Sequence, residues 1–198
     1  MKFSRKTKMI CGVLLLSSVV GYSSFVVGES GSTRWDKSNS TNKNVKMEWA
    51  FTRADQHPEK MLINVINSAT STLDIAIYSL THPDIVKAIK GTKVRGVSVR
   101  IITDEQQSSG KTQKEALKFL SGSGIPIKIN KHSGLQHLKV TLADGKIATT
   151  GSFNYSKAAS TKNDEVLMVL HDQEVARAFE EQFNRMWQDT KGFRDYAK

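Results

Sequence analysis

Residues 136–156 read QHLKVTLADGKIATTGSFNYS. His137 and Lys139 stand two apart, the spacing that puts both side chains, and Thr141 after them, on one face of a β-strand, with Leu138, Val140 and Leu142 on the other. The apolar face is suited to packing on helices. The polar face then carries an imidazole, which is both nucleophile and proton carrier, beside an ammonium able to hold phosphate oxygen. Asp144-Gly145 is the strongest short signal for a tight hairpin, and it returns the chain along KIATT toward the end of the sheet that holds His137. There Gly151 lets backbone approach a ligand closely, Ser152 offers a hydroxyl and a backbone N–H, and Asn154 offers amide donors to an anionic oxygen. Together these groups suit a phosphoryl centre.

Taken one at a time, each residue has a plainer explanation. His137 and Lys139 alone would more often belong to a solvated strand face, Ser152 to a turn, and Asn154 to the N-cap of a following helix. Asp144 has three open roles, of which turn former comes first, remote ion-pair partner second and catalyst last.

The elements that must position these groups follow from apolar spacing. VKMEWAFT reads as a strand. HPEKMLINVINSAT reads as a helix with Pro58 near its start and Met61, Leu62, Val65, Ile66 and Ala69 on one face. LDIAIYSL is a second strand, and THPDIVKAIKG a second helix that starts at Pro83 and stops at Gly91, the residue type that best tolerates a C-terminal cap. GVSVRIITDE alternates Val97, Val99 and Ile101 on one face, TQKEALKFLSGSG is a short helix, and IPIKIN and DEVLMVLH add strands. Residues 172–187 place Val175, Phe179, Phe183 and Trp187 at helical spacing, an apolar stripe for the core rather than for a ligand. The class is α/β with a substantial sheet.

The chain has 198 residues and a formal net charge of +10. Its first eight residues carry four cations, and Met9 to Gly28 then runs without a charge, the layout of an export signal that is either cleaved or kept as a membrane anchor. Four of the 29 Lys and Arg and none of the 19 Asp and Glu fall within residues 1–28, so the remainder keeps a net charge of +6. That excess favours polyanions, nucleic acid or anionic lipid, although charge alone fits any soluble basic protein equally well. The only cysteine, Cys11, lies in the leader, which excludes disulfides and cysteine-ligated metal from the rest. Residues 29–45 are polar, rich in Ser, Thr and Asn, and read as a flexible linker, so the globular domain is expected over 46–198.

Written as a pattern, the opening stretch is H-x-K, four residues, D, six residues, G-S-x-N, with His137, Lys139, Asp144, Gly151, Ser152 and Asn154 at every fixed position. This pattern resembles the phospholipase D superfamily, and the chain looks most like its small, secreted, EDTA-resistant endonucleases, which carry one copy of the motif. The likeness extends over roughly 46–198 through AIYSLTHPDIVKAI, RGVSVRIITDE, SGIPI, TKNDEVLMV and MWQDTKGFRDY. Leu138 departs from it, standing where a polar residue is expected in those nucleases.

The resemblance implies a mixed β-sheet flanked by helices on both faces. It also implies that His137 attacks phosphorus to give a covalent phosphohistidine that water then cleaves. Lys139 and Asn154, helped by Ser152, would hold the non-bridging oxygens. Glu165, in KNDEV, matches the family's acid that hydrogen-bonds the histidine, though by itself it reads as an acid at a strand edge. No metal or other cofactor is implied. One histidine must be neutral to attack and another protonated to release the leaving oxygen; His57, His82, His132 and His171 lack a Lys two residues later, so the second is expected from a homodimer with a shared active site. Of the four, His132 is the best placed to reach the rim.

Three functions compete: an exported, sequence-nonspecific endonuclease acting on DNA or RNA, a phospholipase acting on anionic phospholipid at a membrane, and a nucleic-acid-binding module without turnover. An aligned nucleophile argues against the last.

Overall fold

The computed structural model describes residues 45–196. The expected leader, 1–28, and residues 29–44 of the expected linker lie outside them. Within the described part, the first strand is β1 (Lys46–Phe51).

Strands buried on both sides lie at the centre of a sheet, and two runs here are of that kind: β2 (Thr72–Ile77) and β5 (Lys139–Ala143). They pair antiparallel with each other. On one side β3 (Ser98–Thr103) and β4 (Ile127–Asn130) continue parallel to β2, and the short β8 (Phe193–Asp195) closes that edge antiparallel. On the other side β6 (Ile147–Gly151), β7 (Val166–His171) and β1 follow antiparallel. The order is β1-β7-β6-β5-β2-β3-β4-β8, a mixed sheet of eight strands.

Both faces are covered by helices. On one face α1 (Pro58–Ser68), α2 (Pro83–Val94) and α4 (Lys111–Gly122) bury Leu62, Ile66, Ile85, Ile89 and Leu117 against Leu73, Ile75, Ile77 and Ile101. On the other, α6 (Gln173–Gln188) sets Ala176, Phe183 and Met186 against Ala76, Val140, Leu142 and Ala148. Each large aliphatic side chain withdrawn in this way contributes roughly 1.5–3 kcal/mol before the entropy of ordering it is subtracted.

Two expectations are corrected, and the plainer explanation of His137 and Lys139 as a solvated strand face fails for β5. Gly91 does not stop α2: the helix runs on to Val94, because Thr92 is fully buried with its hydroxyl donating to Ile66 and Ala88 carbonyls, and the reversal falls to Gly96 at φ +90°. The polar face of β5 is not solvated. Ile77 pairs with Lys139 and Ile75 with Thr141, so this face looks into the α1 side of the core. Thr141 is tolerated there because its hydroxyl shares a hydrogen bond of 2.6 Å with the Tyr155 hydroxyl and its N–H donates to Thr149 Oγ1. Finally, Gly151 brings backbone close to backbone rather than to a ligand. At φ +135° it lies against Val166, where a Cβ would run into the carbonyl group. Gly151→Ala is therefore expected to lower the unfolding free energy by about 2–4 kcal/mol, read as a lower urea midpoint at unchanged m-value.

Candidate active site

The site forms where β5 begins and β2 ends. Beyond Ile77 the ladder continues for one more bond, Tyr78 N–H donating to the Leu138 carbonyl at 3.0 Å, and this fixes the strand-free residues Gln136 to Leu138 beside Tyr78. The His137 ring packs on the Tyr78 ring with centroids 4.6 Å apart and planes tilted by 56°. Tyr78 is held in turn through its hydroxyl, which accepts from Gln107 Nε2 at 3.0 Å; Gln107 lies on α3 (Glu105–Ser109), a helix the sequence did not reveal. Tyr78 itself escaped sequence reasoning, since it stands in a buried run with nothing to separate it from core.

Lys139 is 6% exposed, whereas His137 is exposed. The Lys139 ammonium donates to the His137 carbonyl at 2.8 Å and lies 3.0 Å from Nδ1 and 3.1 Å from Nε2 of the same ring. Burial pushes its pKa below the usual lysine range, while the Glu165 carboxylate opposes that fall. The ammonium is thus poorly hydrated and poised for an anion.

The second limb of the hairpin supplies the amide. Phe153 and Tyr155 are wholly buried, whereas Ser152 before them is exposed and Asn154 between them is half-buried. Asn154 Oδ1 accepts from Ser79 N–H at 3.3 Å, which leaves its amide N–H groups for another acceptor. Asn154 is not a helix N-cap: Ser156 caps α5 (Lys157–Thr161), its Oγ accepting from Ala159 N–H. The Ser152 N–H is already spent on the Val166 carbonyl at 3.1 Å, and its Oγ accepts from Val166 N–H at 3.2 Å. Only the Ser152 hydroxyl hydrogen remains to be offered.

Glu165 is placed differently from the expected contact. Its Oε1 accepts from Asn163 Nδ2 at 3.1 Å, its charge acts on Lys139, and among the described residues no hydrogen bond joins it to His137. It shares a cleft of about 410 Å³ with Ser152, Val166 and Phe51.

Asp144 is not brought to the site. It lies past the far end of β5, with φ +55° followed by Gly145 at φ +60°, the two left-handed residues of a type I′ turn. Its carboxylate accepts from the N–H groups of Thr70, Ser71 and Thr72 and from the Thr70 hydroxyl, bracing the entry to β2. Burial alone would raise its pKa, but the hydrogen bonds from Thr72, Ser71 and Thr70 outweigh it and bring the carboxyl to about 2. A carboxyl depressed in the folded state stabilises fully above its ordinary value and loses that contribution as pH falls toward its folded value. After discounting for solvent screening, Asp144→Asn is expected to cost about 1–2 kcal/mol at pH 7 and progressively less below pH ~4, with catalysis within a few fold of wild type. Urea unfolding at several pH values, set beside an activity assay, reads both.

His132 lies at the rim as expected, lining with His137 a cleft of about 720 Å³ on the α6 side. The other histidines have structural surroundings: His82 caps α2 by accepting from Asp84 N–H, His57 contacts Glu59, and His171 stands 3.1 Å from Glu48. Among the described residues no group of three or more His, Cys, Asp and Glu is arranged to hold a metal ion.

An exposed imidazole beside a desolvated ammonium, with a half-buried amide across a hairpin on a mixed sheet, defines a phospholipase D-like domain. Residues 62–187 match the family model described as cardiolipin synthase, PLD-like domain, and the chain belongs to this phospholipase D-like family. It is 33% identical to Nuc, a phospholipase D family member from Salmonella typhimurium, with a TM-score of 0.72 over 78% of this chain and 99% of Nuc. NucT from Helicobacter pylori is 30% identical, with a TM-score of 0.67 over 73% of this chain and 96% of NucT. The mitochondrial cardiolipin hydrolase of Chlamydomonas reinhardtii is 34% identical over 125 residues, which make up 63% of this chain and 55% of that protein.

Proposed function

We propose that this chain is a metal-independent phosphodiesterase, an endonuclease acting on DNA or RNA without regard to sequence, that works as a homodimer with one shared site. The observation that carries the reading is the contact of the Lys139 ammonium with both ring nitrogens of an exposed His137. In the free protein the ammonium shields the nucleophile. A phosphodiester entering the site draws Lys139 and the Asn154 amide onto its non-bridging oxygens, with the Ser152 hydroxyl beside them, and the imidazole is uncovered.

A neutral His137 then attacks phosphorus. The P–N bond forms, the P–O bond to the leaving group breaks, and His137 of the second copy gives the leaving oxygen its proton. That second imidazole, now neutral, takes a proton from water, which attacks phosphorus and breaks the P–N bond, restoring both rings. The Glu165 carboxylate opposes the fall that burial imposes on the Lys139 pKa.

An uncovered apolar stripe supports the dimer. Met47, Trp49 and Phe51, exposed by 47%, 55% and 47%, alternate on one face of the edge strand β1. They pair with the half-buried Leu170, Met168 and Val166 of β7. Leu170 also faces Ala148, so the stripe lies on the α6 side of the sheet, outside the buried cluster that α6 forms with Ala76, Val140, Leu142 and Ala148. A contiguous apolar patch of this kind marks an interface, and here its upper end, Phe51 and Val166, lines the cleft that holds Ser152 and Glu165. A second copy seated there brings two sites together. Export through residues 1–28, with 29–45 as a tether for the catalytic domain, completes the reading. No helix among the described residues is long and apolar enough to cross a membrane.

A second reading, hydrolysis of anionic phospholipid, is favoured by the likeness to a protein named cardiolipin hydrolase and by Leu138, exposed beside His137. Supercoiled plasmid and cardiolipin vesicles, each incubated with the protein in excess EDTA, separate the two. Nicked plasmid with intact lipid is the expected result; phosphatidic acid released while plasmid stays supercoiled would establish the lipid reading instead.

A further inference from the structure

A buried donor with no hydrogen-bond partner among the described residues lies beside the larger cleft next to His137. Gln136 is 3% exposed and pinned at two points. Its N–H donates to Asp104 Oδ2 at 3.1 Å, and its side-chain Oε1 accepts from Leu138 N–H at 3.0 Å. The second bond decides which way the amide faces, because the reverse orientation would set donor against donor. Nε2 is thereby turned elsewhere, shielded from solvent and without a hydrogen-bond partner among the described residues. Buried donors are nearly always satisfied, so one left open next to a nucleophile calls for an acceptor that arrives with a ligand.

Gln136 lines the cleft of about 720 Å³ that opens beside His137, together with Leu135, Leu138, Met186, Phe193 and Arg185. The volume is that of a small-molecule site and exceeds what one phosphate needs. Its walls combine Leu135, Leu138, Met186 and Phe193 with polar groups that include the Arg185 cation, the Asp189 carboxylate and the Gln136 amide. A flat heterocycle bearing carbonyl or ring-nitrogen acceptors, attached to a further phosphate, matches the amide, the apolar wall and the cation; a hydrocarbon chain would leave the amide donor unused and Arg185 with only its hydrogen bonds to Gln182 Oε1. Leu135 and Leu138, each 42% exposed, are the most solvent-accessible apolar parts of the wall.

We infer that this cleft is a nucleotide subsite: it takes the nucleoside flanking the scissile phosphate, with Gln136 Nε2 donating to an acceptor on its base and Arg185 meeting the next phosphate. The inference rests on the endonuclease reading and adds to it a residue that recognises substrate beyond the reacting phosphodiester.

Two substrates test it, a single-stranded oligonucleotide and bis(p-nitrophenyl) phosphate, which has the scissile group and no nucleoside. Gln136→Glu keeps the acceptor for Leu138 N–H and puts an oxygen where the donor was, while Gln136→Met removes the amide at similar volume. Because either change falls on a buried residue, Leu135→Glu at the exposed mouth serves as a third variant. All three are expected to lower kcat/KM for the oligonucleotide relative to bis(p-nitrophenyl) phosphate by about tenfold, chiefly through KM, as the loss of one substrate hydrogen bond or a repelled phosphate requires. Equal losses on both substrates would show that Gln136 merely positions His137, and no loss on either would show an unused cleft; either overturns the inference and spares the nuclease. Wild type that cleaves bis(p-nitrophenyl) phosphate and no oligonucleotide would overturn the nuclease reading and the subsite with it.

Discussion

His137→Ala is expected to lower plasmid nicking by at least about 10³-fold and to move the thermal midpoint by no more than about 2 °C. The two halves of this expectation have separate causes. Loss of the imidazole removes the atom that bonds to phosphorus and, in the second copy, the acid that protonates the leaving oxygen, so no part of the two-step displacement survives. The fold is spared because His137 is exposed and outside any strand; its removal opens no cavity in the core. Mixing makes the expectation sharper. If equal amounts of wild type and His137→Ala exchange subunits, about a quarter of the dimers hold two imidazoles, and activity settles at about half that of the unmixed proteins. Activity that stays at its unmixed value after verified exchange would mean that each chain works alone.

Trp49→Glu is expected to separate the dimer and to cost nicking at least about 100-fold, although Trp49 touches none of the reacting groups. At 55% exposure the indole contributes little to the monomer's core, so the chain still folds. In an interface the new carboxylate would be buried without a counter-charge, a penalty of several kcal/mol, enough to raise the dimer Kd by 10³ or more. Light scattering and the nicking assay on the same sample read association and activity together. A variant that stays dimeric and active would move the interface elsewhere, and a wild type that is monomeric and fully active would remove the shared site.

Most of the scaffold was legible because it depends on apolar spacing. The alternation in LDIAIYSL and GVSVRIITDE and the helical stripes in HPEKMLINVINSAT and residues 172–187 became β2, β3, α1 and α6. The hairpin was legible because Asp-Gly has few other uses, and it brought His137, Lys139 and Asn154 to one end of the sheet. What failed to show depends on contacts between segments distant in sequence. Gly91 reads as a stop until the buried Thr92 ties α2 to α1. Asp144 carries no sign of its clamp on Thr70, Ser71 and Thr72, more than seventy residues earlier. Gly151 reads as room for a ligand until Val166 fills it. Gln136 and Tyr78 are an ordinary polar residue and an ordinary strand aromatic, and only the way the end of β2 meets the start of β5 makes neighbours of His137 out of them. Short β8 and α3 were missed because three and five residues are too few to display a period.

The central claim is a histidine nucleophile that needs no metal, and nicking of supercoiled plasmid by the purified protein in excess EDTA tests it most directly. Wild type is expected to convert plasmid to open circles at a rate EDTA leaves unchanged, and His137→Ala purified alongside it is expected to leave plasmid supercoiled. Equal nicking by the two proteins, or nicking by wild type that EDTA abolishes, would contradict the account.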